Sequence, residues 1–166
     1  TKAFESRTAT CKEQFGKELP VEVPTHNAGV LEFHSGAVIT LTISFDVCAH
    51  RHSPLELYGT EGSLQMPDPN TFSGPVHLLT RKEGEWREQA LSHPYADNMR
   101  GIGAADMAMA IRHGTPQRTS GELGYHVLEV MHAFEASSTS GQQVKIESAP
   151  QQPDPLPLGL IEGRLA

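Results

Sequence analysis

The stretch that decides the fold of this chain is AVITLTISFDV, residues 37–47. Its large apolar residues occupy every second position. A period of two over this length is typical of a β-strand that buries one face. The predicted apolar face consists of Ala37, Ile39, Leu41, Ile43, Phe45 and Val47. The opposite face consists of Val38, Thr40, Thr42, Ser44 and Asp46.

This strand has a pairing partner immediately before it in the chain. A two-residue turn would place the large apolar side chains of the two arms on opposite faces of the hairpin. A three-residue turn that ends at Gly36, with that glycine left-handed, pairs Phe33 with Ala37 and Leu31 with Ile39. All the large apolar side chains then share one face. We therefore predict the three-residue turn.

The second face of the hairpin carries few charges, although a sheet face in water usually holds more lysine and glutamate. Two interpretations remain open. The face meets another protein surface in an oligomer, or it is a threonine-rich sheet face in water. On the first interpretation, Thr40, Thr42 and Ser44 are the candidate oligomer-interface residues.

Length and composition limit the classes of function. The 166 residues suffice for one domain with a core, and a net charge of −7 argues against a nucleic-acid partner. Two cysteines, Cys11 and Cys48, are too few for a disulfide scaffold, so we expect a reducing cytoplasm. No apolar run is long enough to cross a membrane. The chain begins with Thr1, and we expect it to be part of a longer protein.

The remaining sequence predicts more strands, followed by two helices. Expected strand regions are a weak strand in 1–10, hairpins over 55–66 and 76–91, and a late strand at 144–146, with a loop over 11–24. Expected helices are 101–113, ended by Gly114, and a second one that begins after Ser120. The second helix carries an apolar stripe of Leu123, Val127, Val130, Met131 and Phe134.

This order predicts an α+β fold. We expect a largely antiparallel open sheet of about six to eight strands. The two helices should pack on one face and leave the other face open for oligomerisation. The α+β domain is expected to span residues 1–148, and residues 149–166 a proline-rich extended arm.

One polar loop, just before the first helix, is the best candidate for substrate binding. Its candidate residues are His93, Tyr95, Asn98 and Arg100. Such a loop can donate hydrogen bonds to a polyol or a carboxylate, or it can cap the helix and hold itself in place. Asp46, at a strand end, is a second candidate, although accepting turn hydrogen bonds is the favoured interpretation.

Two further patterns are weaker. GIGAAD at 101–106 is one residue short of a dinucleotide-binding fingerprint and lacks a preceding strand, so we interpret it as an ordinary helix start. His50 and His52 could begin a metal site, and with His93 they would suggest a small metal-dependent enzyme. No third ligand lies at a characteristic spacing, which favours polar loop histidines. We assign no catalytic, cofactor-binding or metal-binding residue.

Four blocks of sequence together resemble the C-terminal domain of the Gfo/Idh/MocA oxidoreductases. In chain order they are VPTHNAGVLEF at 23–33 with the hairpin after it, LYGTEGSL at 57–64 with PDPNTF at 67–72, YADN at 95–98 with the helix after it, and SGE at 120–122 with its helix. The resemblance covers about residues 10–160. Each block alone is a weak signal, but their shared order is a stronger one.

The resemblance implies a function for the chain. Members of this family combine a Rossmann domain, which binds NAD or NADP, with a C-terminal domain that backs the substrate site and forms oligomers through its open sheet. The implied reaction is hydride transfer between NAD(P) and a sugar, polyol or related hydroxy substrate. The implied partners are the chain's own Rossmann domain and further copies of the protein.

The chain also departs from the family's full pattern. It lacks the dinucleotide fingerprint, the Glu-Lys-Pro segment with its catalytic lysine, and the helix with the proton-transfer residues. We expect all three to lie before Thr1, so the chain alone should bind no cofactor and be inactive. The alternative is a free-standing, non-catalytic module that dimerises or binds a ligand.

Overall fold

The computed structural model describes residues 1–2, 4–9, 11–71, 74–92, 95, 100–161 and 165. Within these residues the chain forms eight strands and two helices, and all strand pairs are antiparallel. The α+β prediction is therefore confirmed. The elements are β1 (Ser6–Thr8), β2 (Glu18–Pro20), β3 (His26–Glu32), β4 (Val38–Ser44), β5 (Leu55–Tyr58), β6 (Gly62–Met66), β7 (Val76–Thr80), β8 (Trp86–Gln89), α1 (Ile102–His113) and α2 (Gly121–Ser140).

The chain divides into two compact units. The first contains residues 1–50 and 122–150, and the second contains 51–121 and 151–166. The described strands form three sheets, in the orders β1-β2, β3-β4 and β5-β6-β7-β8, rather than the single open sheet that we expected. Alternation along a strand shows that the strand exists and which face is apolar, but not which other strands it joins.

The β3-β4 hairpin has the predicted register. Leu31 is paired with Ile39, and the Phe33 amide donates to the Ala37 carbonyl at 3.0 Å. Gly36 has a φ of 88°, the left-handed conformation that the three-residue turn requires. The turn and the alternation thus predicted this element correctly.

One face of the hairpin is covered by α2. An added Cβ at Gly29 of β3 would lie 2.7 Å from Cε1 of Phe134, so the aromatic ring packs directly against this glycine. Gly29 is paired with Leu41, which places the ring on the predicted apolar face. The ring leaves one end of that face open, because Ile43 and Phe45 remain 51% and 69% exposed. Within the first unit, the predicted apolar face is therefore covered only in part.

The loop predicted over residues 11–24 contains a strand. β2 pairs with β1 around Arg7 and Leu19, and the Ala9 amide donates to the Lys17 carbonyl at 2.8 Å. Ala9 is only 4% exposed. A three-residue strand is too short to show a period, so the sequence pattern could not reveal it.

The second unit contains the four-stranded sheet. The hairpins β5-β6 and β7-β8 lie where they were predicted, and Gly84 makes the second turn with a φ of 71°. The two hairpins join through β6 and β7. Gly62 permits this pairing, since an added Cβ there would lie 2.3 Å from the Leu79 carbonyl oxygen.

Both helices lie close to their predicted positions. α1 ends at Gly114, which has a φ of 65° and donates its amide to the Ala110 carbonyl. α2 begins directly after Ser120 and ends before Gly141, which has a φ of 67°. No helix among the described residues is long and apolar enough to cross a membrane.

The apolar stripe of α2 is only partly covered. Leu123, Val130 and Phe134 are half-buried, whereas Val127 and Met131 are 50% and 64% exposed. The predicted stripe thus lies on a helix, and part of it is exposed.

The late strand predicted at 144–146 does not form, since these residues have no strand partner. The segment after them is instead held by α2. Both carboxylate oxygens of Glu129 accept backbone amides, from Glu147 at 2.8 Å and from Ser148 at 3.0 Å. Hydrogen bonds to a side chain thus replace the expected strand pairing.

Candidate functional site

The candidate loop before α1 contacts the PDPN segment. Arg100 Nη2 donates to the backbone oxygen of Asn70 at 3.1 Å and to its Oδ1 at 2.8 Å. Two of the blocks that carry the family resemblance therefore meet at Arg100. His93 and Asn98 lie outside the described residues.

The PDPN segment is organised by its own side chains. Asp68 Oδ1 accepts the Asn70 amide at 2.8 Å, and the Asp68 carbonyl accepts the Thr71 amide at 3.1 Å. An aspartate that accepts an amide two residues on makes a compact Asx turn. The turn presents the oxygens of Asn70 to Arg100, so this guanidinium has a defined position.

Tyr95 is half-buried, and its hydroxyl donates to the carbonyl oxygen of Ile161 at 3.1 Å. The C-terminal arm therefore reaches the candidate loop. Nothing in the local sequence signals this contact, because the two residues lie 66 positions apart.

Asp46 lies in the first unit, at the end of β4. Its Oδ2 accepts a hydrogen bond from the hydroxyl of Thr25, which is 6% exposed, and its amide donates to Ser44 Oγ at 3.1 Å. The hydrogen bond that the Asp46 carboxylate accepts thus comes from a side chain 21 positions away, not from its own turn. Its role as a substrate ligand stays a prediction.

The candidate interface residues lie on the hairpin face opposite Phe134. Thr40 and Thr42 are exposed, and Ser44 is half-buried. Their neighbours on this face include Val30 and Val38, which are 59% and 64% exposed. The face is thus exposed and apolar in part, and it carries few charges.

A buried ion pair that we did not predict lies beside α1. Asp106 is 6% exposed, and its Oδ1 accepts a charged hydrogen bond from Arg118 Nη1. The Arg118 amide donates to Asp106 Oδ2 at 3.2 Å. Arg118 Nε also donates to the carbonyl of Asp154 at 3.1 Å, and its Nη2 to that of Pro155 at 3.5 Å. One arginine therefore joins α1, the loop after it and the C-terminal arm.

Hydrogen bonds shift the pKa values of Glu129 and Tyr58. The Ser148 hydroxyl and the amides of Glu147 and Ser148 lower the pKa of Glu129 by stabilising its carboxylate. The Tyr58 hydroxyl donates to Glu56, which raises the pKa of this tyrosine. Neither group lies in the candidate loop, so neither shift indicates acid–base chemistry there.

The described residues contain no group of three or more histidine, cysteine or acidic side chains that could hold a metal ion. His93, the third residue of the metal hypothesis, lies outside them. In this part of the chain, then, nothing adds a ligand to His50 and His52.

The family model described as "Oxidoreductase family, C-terminal alpha/beta domain" matches residues 7–146. The chain belongs to this family. The match runs from β1 to the segment after α2 and so includes Arg100, Tyr95 and the hairpin. It confirms the resemblance to the C-terminal domain of the Gfo/Idh/MocA oxidoreductases. No curated protein and no solved structure matches this oxidoreductase domain.

Members of this oxidoreductase family depend in general on NAD(P). The residues described here do not form a dinucleotide site. The near-fingerprint at 101–106 opens α1, and no strand is described between Gln89 and Gly101 to aim a pyrophosphate at that helix. Among the described residues, the start of α1 therefore does not fit the cofactor.

Proposed function

We propose that this chain is the substrate-side and oligomerisation domain of an enzyme that transfers hydride between NAD or NADP and a sugar, polyol or related hydroxy compound. The observation that carries the proposal is the match of residues 7–146 to the C-terminal domain of an oxidoreductase family. The nicotinamide cofactor, held by the chain's own Rossmann domain, would accept or supply the hydride. The role of this chain is to bind and orient the substrate.

The candidate loop has the chemistry that such a substrate requires. Arg100 carries a guanidinium that only donates hydrogen bonds, and Tyr95 carries a hydroxyl that can both donate and accept. Hydroxyl oxygens of a polyol accept from the first and exchange hydrogen bonds with the second. The turn at Asp68 and Asn70 holds the Arg100 guanidinium in place, which lowers the entropic cost of binding.

The exposed apolar surface supports the oligomerisation role. Among the described residues, the hydrophobic side chains that count as buried are those of Ala9 and Ala110, at 4% and 7% exposed. Monomeric proteins rarely leave large contiguous apolar patches in water. We propose that further copies of the protein cover the face of Thr40, Thr42 and Ser44. For the exposed thiols of Cys11 and Cys48 we propose a reducing cytoplasm.

The binding role is tested by Arg100→Met in the protein that includes the cofactor domain. Losing hydrogen bonds from a charged donor should raise the KM for the polyol about 10-fold or more and change kcat much less. Arg112→Met, on the exposed end of α1, is the matched control. An unchanged KM in the Arg100 variant would remove the candidate loop from the substrate site.

The enzyme assignment is tested on the gene. The codons before Thr1 should encode Gly-x-Gly-x-x-Gly after a strand, and later Glu-Lys-Pro. A stop codon followed by a start close to Thr1 would contradict the oxidoreductase proposal. The non-catalytic module would then be the better interpretation.

A further inference from the structure

The C-terminal arm is held at two places in the second unit, and the two attachments differ in strength. At residues 154–155 the arm's carbonyls accept hydrogen bonds from Arg118, which is itself paired with the buried carboxylate of Asp106. At Ile161 the carbonyl accepts from the neutral hydroxyl of Tyr95. Charged hydrogen bonds are roughly twice as strong as neutral ones. The hydrogen bonds at Arg118 should therefore persist under conditions that break the one at Tyr95.

The residues from the Arg118 attachment to Ile161 are only partly buried. Leu156 and Leu160 are half-buried, whereas Leu158 is 80% exposed and Ile161 is 66% exposed, so moving these last two into water costs little hydrophobic free energy. Gly159 has a φ of 76°, which marks a turn just before the tip. The segment is held firmly by Arg118 at one end, turns at Gly159 and is held at Ile161 by one neutral hydrogen bond. We call residues 156–161 the strap and Ile161 its tip.

The tip covers the hydroxyl that the proposed function needs. The Ile161 carbonyl is a hydrogen-bond acceptor, and so is each hydroxyl oxygen of a sugar or polyol. Both would use the same proton of Tyr95. Binding of substrate and binding of the tip at this proton are therefore mutually exclusive.

We propose that residues 156–161 form a releasable strap, anchored by Arg118, whose tip covers the Tyr95 hydroxyl until a polyol ligand displaces it. This inference rests on the proposed function for its ligand. The attachment of the strap does not depend on that function and can be measured separately.

The attachment is measured with a nitroxide label on the strap. Cys11→Ser and Cys48→Ser remove the native thiols, and Leu158→Cys places the label on an exposed position. A second protein carries the label at Gln152→Cys, on the other side of the anchor. Spin-label spectra give the ratio of mobile to immobile label at each position.

Tyr95→Phe removes the hydroxyl and keeps the ring. The mobile-to-immobile ratio should rise about fivefold at position 158, as expected for loss of one neutral hydrogen bond. It should stay unchanged at position 152. No change at position 158 would overturn the proposal, and an equal rise at both positions would show that Arg118 is not the anchor.

Arg118→Lys keeps a positive charge for Asp106 but loses the planar fork that reaches two carbonyls. The mobile fraction should rise at both labelled positions. Arg112→Lys, on the exposed end of α1, is the matched control and should change neither. An Arg118 variant that behaves like this control would contradict the anchor.

The displacement is measured by adding myo-inositol, and separately glucose, to the protein labelled at position 158. The mobile fraction should rise with ligand when Tyr95 is present and should not respond in the Tyr95→Phe variant. An equal response in both proteins would overturn the competition at Tyr95. If neither polyol changes the mobile fraction at position 158 but Tyr95→Phe still raises it, the attachment of the strap to Tyr95 is supported. The polyol part of the proposed function would then fail.

Discussion

At the residue scale, Gly29 shows how one missing side chain permits the packing of a whole helix. The ring of Phe134 lies where a Cβ of residue 29 would be, at 2.7 Å from that position. Carbon atoms at van der Waals contact are about 3.5–4.0 Å apart. Any larger residue at this position must therefore push the ring, and with it α2, away from the hairpin.

Gly29→Ala should lower the free energy of unfolding by about 1–3 kcal/mol, the usual cost of an overpacked site. Urea denaturation followed by circular dichroism measures this. Gly124→Ala in α2 is the matched control, because nothing lies within 4 Å of its added Cβ. That variant should gain about 0.5–1 kcal/mol from the higher helix propensity of alanine. Equal stability of Gly29→Ala and the wild type would contradict the contact with Phe134.

The pKa of Glu129 predicts how the segment that follows α2 responds to acid. Its pKa is lowered, and the largest cause is the hydrogen bond from the Ser148 hydroxyl. A carboxylate with a pKa below its unfolded value stabilises the fold above that unfolded pKa of about 4.3. This contribution is lost as the pH falls through the folded pKa.

Ser148→Ala should raise the pKa of Glu129 toward the ordinary value for glutamate. Carbon-13 NMR of the labelled carboxyl group measures the titration. Ser137→Ala, at a residue of α2 that makes no described contact with Glu129, should leave the titration unchanged. The same pKa in wild type and Ser148→Ala would show that the hydroxyl does not hold the carboxylate.

At the scale of elements, the hairpins and helices follow from local sequence. Alternation over residues 37–47 and the glycine at 36 predict β4 and its turn, because both signals lie within a few residues of each other. The same holds for α1, which ends at Gly114. β2 and the unformed strand at 144–146 differ, since both are decided by contacts with distant segments. The local propensity of three residues decides neither case.

Arg118 connects elements that no local pattern relates. Arg118→Ala would leave the Asp106 carboxylate buried without its partner, and removing one member of a buried ion pair costs about 3–5 kcal/mol. The expected loss of stability is about 3 kcal/mol. This is the lower end of that range, because the Arg118 side chain is still 32% exposed to solvent. Thermal and urea denaturation both measure it.

Arg112→Ala is the control for this prediction. Arg112 lies in the exposed last turn of the same helix, where a cation interacts only with the helix dipole. The expected loss is about 0.3–1 kcal/mol. If the two variants lost the same stability, the ion pair would contribute nothing specific.

At the scale of the whole molecule, exposed apolar surface is the main feature that favours binding to another protein surface. On the hairpin, apolar side chains are exposed on both faces: Val30, Val38, Ile39, Ile43 and Phe45. Phe134 covers part of one face, and the proposed oligomer would cover the other. The chain should therefore self-associate at micromolar concentration.

Thr42→Lys should abolish this self-association, because burying a lysine in the interface is costly without a partner. Sedimentation velocity of the variant should show a monomer. Thr115→Lys, at an exposed loop position after α1, makes the same chemical change outside the face and should leave the oligomer intact. An oligomeric Thr42→Lys protein would place the interface elsewhere.

The sequence by itself determined the α+β class, three of the hairpins, both helices and the family, because periodicity, turn residues and ordered motifs are local properties of the chain. Tertiary structure alone decided how the strands divide among sheets and which polar groups meet. Arg118 lies 12 residues from Asp106, Glu129 lies 18 from Glu147, and Tyr95 lies 66 from Ile161. No short-range period encodes pairs at such separations, so only the folded chain brings them together.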